Sequence, residues 1–299
     1  MDRDDYLMLV ALAGIWGASF VFIKIAVHDI PPVSMVFLRT LSAALALGAW
    51  IALTRVSWRQ VARMWKQGLV IAVLNAALPY VLIASSEQYI DSSLAGILNA
   101  TAPLWTALLA PLFAEAEQLH PRQGIGLALG FAGVVILARP TGNVLNSNFL
   151  GVLAVIAATL AYAIATHFSK RAFEDVPASV PAFLQCAGAA LLLAPLLIVS
   201  HPAHVPSLGS LGATLWLGVG ATGLAMVLSF GLIQRVGAGR TIVVTYLIPP
   251  MALVWGVFLL HERPSPAVLV ALVLILGGVF FITARRPGAT LPAASGPVA

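Results

Sequence analysis

Ten apolar stretches follow one another along the chain, at roughly 6–27, 34–54, 67–87, 93–114, 122–139, 149–171, 179–200, 212–234, 240–261 and 266–284. A helix needs about 20 apolar residues to cross hydrocarbon, and each stretch approaches or meets that length. Short turns separate most of them, among them His28-Asp29-Ile30-Pro31-Pro32 and Tyr89-Ile90-Asp91; the segments at 55–66 and 139–148 are longer. The pattern predicts an all-α integral membrane fold with ten transmembrane helices. Residues 287–299, rich in Pro, Gly and Ala, carry no apolar period and are expected to be disordered.

The pattern is stated twice. Shifted by 146 positions, Trp16 falls on Tyr162, Phe22 on Phe168 and Lys24 on Lys170. At the same shift Asn99 and Pro103 fall on Thr245 and Pro249, and one gap later Glu117 meets Glu262. The chain therefore reads as two repeats of five helices, 1–140 and 146–286, divided at Arg139-Pro140-Thr141-Gly142-Asn143. Cytoplasmic loops carry an excess of Lys and Arg. Twelve of the 16 such residues lie on segments that share a side with the N-terminus, and only Arg139 and Arg263 lie on the other. That bias predicts both termini in the cytoplasm. Five helices per half is an odd number, so the second repeat is inverted. Secondary transporters are built in this way, with their sites where the repeats meet.

Composition excludes a water-soluble core: 60% of the 299 residues are apolar and 9% charged, against about 25% charged in soluble domains. The formal charge of +5 is dispersed, so it marks topology rather than a nucleic-acid surface. The start, Met1-Asp2-Arg3-Asp4-Asp5, lacks a basic leader, and the first span is expected to be retained. The single cysteine, Cys186, excludes an intrachain disulfide.

Few polar residues lie inside the spans. Proline in a helix leaves the carbonyl four residues earlier unpaired. Pro79 frees that of Asn75, Pro103 that of Asn99, Pro249 that of Thr245 and Pro250 that of Tyr246, so the third, fourth and ninth spans are expected to break. Such backbone is tolerated where it is buried in protein or lines a watery cavity, and both readings stand. Trp16 and Phe20 share a helix face, and Tyr162 repeats the aromatic in the second half. The candidate substrate contacts are Trp16, Phe20, Asn75, Tyr80, Asn99, Trp105, Tyr162, Thr245 and Tyr246.

Lys24, Arg39 and Lys170 are intramembrane cations, which are usually functional or paired. By depth Lys24 is assigned to Glu262 and Lys170 to Glu117; the alternative is that both lysines snorkel to the surfaces. Arg39 and its counterpart Gln185 are read as hydrogen-bonding positions between helices. With Pro103 and Pro249 these residues form the structural and gating set. Gly126, Gly130 and Gly133 share one face, either for packing within the chain or for a weak homodimer.

No acidic residue falls near a bilayer midplane; Glu87, Glu115, Glu117 and Glu262 stand at helix ends. A proton-driven exporter normally carries a carboxylate in mid-membrane. Facilitated diffusion is therefore the expected coupling, and proton-coupled antiport the rival. His167 is read as packed rather than proton-carrying. The spans hold too few cations to clamp a phosphate, which leaves a small, net-neutral substrate. No His-Glu-x-x-His, Gly-x-Ser-x-Gly or P-loop motif occurs. Catalytic residues, metals and cofactors are not expected; an intramembrane enzyme and a channel are the less favoured classes.

Three groups of residues carry a family resemblance. Trp16-Gly17-Ala18-Ser19-Phe20, Phe37-Leu38-Arg39, and the twice-stated run from Pro103 to Glu117 and from Pro249 to Glu262 resemble the EamA branch of the drug/metabolite transporter superfamily. The resemblance spans nearly the whole chain. It implies a ten-helix, alternating-access exporter of the bacterial inner membrane. Within the family the chain looks most like exporters of amino acids and related metabolites, aromatic amino acids among them.

Overall fold

The computed structural model describes residues 2–113, 121–138, 147–241 and 243–283. The regular elements among these residues are all helical. They are α1 (Arg3–Ala26), α2 (Pro32–Leu53), α3 (Trp65–Ser86), α4 (Ser92–Phe113), α5 (Pro121–Leu137), α6 (Ser147–Ala172), α7 (Ser179–Ile198), α8 (Leu208–Val236), α9 (Val243–Leu260) and α10 (Pro266–Thr283), with short helices at Trp58–Arg63 and Ala238–Thr241. Nine of the described helices are long and apolar enough to cross a membrane, and α5, with 17 residues, is shorter. The expected boundary at 140–146, Glu117 and the tail 287–299 lie outside the described residues.

The largest helix–helix contacts cross between the halves. α1 lies along α9, and α6 along α4; α2 packs on α8, and α7 on α3; α3 packs on α6, and α8 on α1. α2–α7, α4–α9 and α5–α10 complete the set. Moving each helix five places along the chain maps this set onto itself. Every pair joins residues before 140 to residues after 146.

Lipid is as apolar as leucine, so such pairs need close approach or polar bonds. On α5, a Cβ at Gly126 would stand 2.7 Å from the Gly278 carbonyl of α10, and one at Gly133 would stand 2.8 Å from Ile275. Gly130 faces Leu104 of α4. The glycine face therefore packs within the chain. The polar bonds are reciprocal. Arg39 Nε on α2 donates to Thr222 Oγ1 on α8 at 3.2 Å, and Asn75 Nδ2 on α3 donates to Gln185 Oε1 on α7 at 2.6 Å.

The helix breaks fall differently from the expectation. α4 does break, at Ala100–Thr101, and restarts with Pro103 in its first turn. α3 widens into a π-helix over Val73–Ala77 before Pro79. α9 runs as one helix through Pro249 and Pro250. A proline deletes a bond, but kinking alone can absorb that loss, and the ladder resumes beyond. α8 carries a second π-helix, Trp216–Leu224, with no proline to announce it. Shifted by 146, residues 73–77 become 219–223, inside that segment. Thr222 Oγ1 caps the opened carbonyl of Leu217 at 2.9 Å.

At the end of α9 the chain turns sharply. His261 takes a left-handed conformation, φ 54°, and the Glu262 amide donates back to the Gly256 carbonyl at 3.1 Å. This turn ends the helix at a left-handed residue, a common stop. It carries the Glu262 carboxylate to the start of α4, where it accepts from the Ser92 amide (2.7 Å), the Ser92 hydroxyl (2.7 Å) and the Ser93 amide (3.0 Å). An anion here meets the unpaired amides and positive dipole end of α4. Gly256 leaves room for it, since a Cβ there would overlap Glu262 Oε2. Gly256→Ala and Glu262→Ala should each destabilise the protein by about 1–2 kcal/mol, the usual worth of a helix cap. Because both remove one interaction, the double variant should lose scarcely more than either single variant. Denaturation of all three in detergent checks this, and additive losses would break the assignment.

Candidate functional site

A cavity of about 440 Å³ lies between α4, α5, α6, α9 and α10. Its polar wall includes Asn99, Thr106, Gln123, Thr166, His167, Thr245 and Thr283; Pro103, Ala107, Ile248, Pro249 and Ile282 supply apolar wall. The break in α4 decides where it ends. Before the break, Ser92, Ser93, Ala95, Gly96, Ile97 and Leu98 are all buried. Beyond it only Leu104 is buried. Along α4 the packing is thus denser toward Glu262 than toward Thr283. A second cavity, about 460 Å³, lies at the Glu262 end between the α3–α4 turn, α5, α6 and α10, lined by Ile90, Asp91, Leu94 and Val268.

Two polar groups define the chemistry. Asn99 Oδ1 is buried at the wall and has no hydrogen-bond partner among the described residues. A buried acceptor left this way costs about 1–3 kcal/mol, so the site favours a ligand that brings a donor. His167 is 3% exposed, its ring stacks on Phe113 at 4.6 Å, and its Nε2 lies 2.9 Å from the Thr106 carbonyl. A carbonyl only accepts, so Nε2 bears hydrogen there.

The structure divides the sequence-derived candidates. Asn99 and Thr245 line the cavity with Pro103 and Pro249. The other candidates stand away from its wall. Trp16 Nε1 donates to the Ala221 carbonyl in the π-helix of α8 at 3.1 Å. Arg39 sits 4.0 Å above the Tyr80 ring, and Tyr80 and Tyr162 pack against one hydrophobic core with buried Phe20. Asn75 is engaged by Gln185. Tyr246 turns toward α10, its hydroxyl donating to the Val279 carbonyl at 3.2 Å. Trp105 stands edge-on to Phe131 at 4.8 Å. Gln123 and Thr283 went unread as wall residues because they lie at span ends. Only the α5–α10 pairing brings them to the cavity.

The charged pairs also differ from the expectation. Lys24 does not reach Glu262. Its ammonium donates to the carbonyls of Glu87 (2.5 Å) and Ile90 (2.8 Å), where α3 ends. Helix ends expose unpaired carbonyls and amides, and these outcompete a pairing by depth. Lys170 is exposed on the last turn of α6, and its assigned partner Glu117 lies outside the described residues. Asp29, between α1 and α2, accepts from the amide of Ser207 and the hydroxyl of Ser210. Hydrogen bonds from Ser207, His28 and Ser210 hold its carboxyl below the usual carboxylate range. At the opposite end Asp5 pairs with Arg235 at 2.9 Å.

Known proteins match this architecture over most of the chain. The model of the EamA-like transporter family matches twice, at residues 5–139 and 149–284. The uncharacterized transporter YoaV of Bacillus subtilis (strain 168) is 25% identical over 280 residues, covering 93% of this chain and 96% of its own. The uncharacterized inner membrane transporter YedA of Escherichia coli (strain K12) is 25% identical over 276 residues, covering 92% and 89%. Protein PagO of Salmonella typhimurium is 28% identical over 284 residues, covering 93% and 92%. A crystal structure at 22% identity shares the fold with a TM-score of 0.67, covering 96% of this chain and all of that one. Two family matches in one chain of membrane-spanning helices place it: the chain belongs to the EamA-like transporter family, within the drug/metabolite transporter superfamily, and is a multi-pass membrane transporter.

Proposed function

We propose that the chain exports small, net-neutral metabolites, chiefly amino acids and aromatic ones among them, across the bacterial inner membrane by alternating access. In this reading ten helices form two inverted halves with both termini in the cytoplasm. The observation that carries it is the cavity between α4, α6 and α9 whose wall presents the Asn99 oxygen, without a hydrogen-bond partner among the described residues. With the termini inside, the cavity faces the cytoplasm, where an exporter loads. The Asn99 oxygen accepts from the substrate ammonium, and hydroxyl and amide groups of Thr245 and Gln123 meet its carboxylate. The apolar wall of Ala107, Ile248 and Ile282 takes the side chain. The volume falls within the range of about 300–1,000 Å³ common to small-molecule sites. YedA, a relative of similar length, is named an inner membrane transporter, which supports the same setting here.

Substrate identity is tested by counterflow of labelled amino acids in proteoliposomes. Asn99→Ala should lower flux about tenfold, the effect of losing roughly 1.4 kcal/mol, with unchanged expression and melting temperature. Unaltered flux would remove Asn99 from the site. Tyr246→Phe should instead leave flux within about twofold and cost about 1 kcal/mol of stability, because its hydroxyl is spent on α10.

Orientation has its own test. Reporters active only in the cytoplasm should work when fused to either terminus. A silent reporter at one end of a normally expressed fusion would overturn the inverted arrangement.

A further inference from the structure

Glu87, the first residue beyond α3, is fully buried, and neither carboxylate oxygen has a hydrogen-bond partner among the described residues. The groups that would ordinarily answer it are committed elsewhere. Lys24 of α1 donates to backbone carbonyls, one of them Glu87's own. Arg39 of α2 is bonded to Thr222 and stacked on Tyr80. Glu262, after α9, is a like charge held by Ser92 and Ser93. Asp91, at the same turn, is exposed, as are His261 and Arg263 beside Glu262. The stretch of α6 facing this turn, residues 148–158, holds no titratable side chain.

An isolated buried carboxylate is so costly that the group takes a proton instead. Burial raises the Glu87 carboxyl well above its ordinary range, against the opposing influence of Lys24. We propose that Glu87 is a proton-exchange site that latches the Glu262 end of the transporter. The carboxyl keeps its proton while that end is closed. When the end opens, the O–H bond breaks, the proton passes to water on that side, and the carboxylate stays behind, solvated. The closed state therefore binds a proton that the open state releases. The sign follows: low pH on that side favours closure, and rising pH favours opening. In the exporter reading, on which this rests, that side is the periplasm. Turnover would then be linked to a proton although no carboxylate lies at the midplane.

The test reads the latch without a substrate. In the Cys186→Ser background, Ile90→Cys places a thiol on the same turn at a side chain that is 4% exposed. Its labelling by an impermeant thiol reagent is measured in vesicles from about pH 5 to about pH 8, a window that brackets a raised carboxyl. Each rate is divided by that of the same thiol with Glu87→Gln, which cancels the thiol's own ionisation. The ratio should rise about tenfold across the window, because Glu87→Gln mimics the protonated acid and stays latched. A flat ratio would overturn the proposal.

Infrared difference spectra between the same pH limits should show a carboxylic-acid carbonyl band, absent from Glu87→Gln and shifted in Glu87→Asp. If Glu87→Gln does not fold, the wild type and Glu87→Asp decide the matter. An identical band in both, or none in either, overturns the assignment. A pH-dependent latch in a protein that moves no amino acid would refute the export reading alone. Amino acid counterflow with a flat ratio would refute the latch alone.

Discussion

In a bilayer, burying leucine against leucine gains little, since lipid tails are just as apolar. The two halves are therefore held by contacts that lipid cannot supply. Backbone meets backbone where Gly126 faces Gly278. Arg39 bonds Thr222, and Asn75 bonds Gln185, each pair crossing between the halves. Measured bonds of this kind average about 0.6 kcal/mol. No single one holds the bundle. What they fix is register, because lipid offers these polar groups no partner at all. The main packing surfaces all cross between the halves as well, so a half cannot move without its partner's packing changing.

The π-helices give this arrangement a movable part. Widening a helix by one residue misaligns the carbonyls and opens places for side chains. In α8 those places are taken by the Thr222 hydroxyl and by Trp16 Nε1 from α1. In α3 the widened turn presents Asn75 to α7. Each π-segment thus carries a cross-half bond on a backbone already relieved of strict α geometry. A turn that exchanges one carbonyl partner for another can bend at low cost.

Much of this fold was legible because membranes impose crude rules. Apolar length placed the helices, each of which overlaps one of the ten apolar stretches. Pro103 marked the break in α4, and Asn99 beside it lines the cavity. The failures have a common cause. Pro249 and Pro250 were given more power than they have, since a continuous helix absorbs them. The π-helix of α8 leaves no local mark, because it arises where Gly218 lets α8 approach α2 at Arg39 and Ser42. Tyr246 has the right depth but the wrong azimuth, and depth is all that span counting gives. Lys24 and Glu262 were assigned to each other by depth, while the stronger claims came from helix ends that sequence does not display.

Those helix ends explain why a buried acid can persist at Glu87. The turn between α3 and α4 joins a carbonyl-rich helix end to an amide-rich one. Lys24 answers the first and Glu262 the second, and each is matched to a half-charge of opposite sign. The turn is thereby neutralised by charges from α1 and from the segment after α9, two elements that also pack along each other. The Glu87 side chain enters the core with no hydrogen-bond partner among the described residues, and Lys24, committed to carbonyls, favours its charged form less than burial disfavours it. Separating α1 and α9 from the turn would expose the Glu87 carboxyl together with the carbonyls that Lys24 answers and the amides that Glu262 answers, and water would have to answer all of them. Only the acid gains from that exchange, because in water it can ionise. The same packing that closes this end therefore stores the reason for it to open.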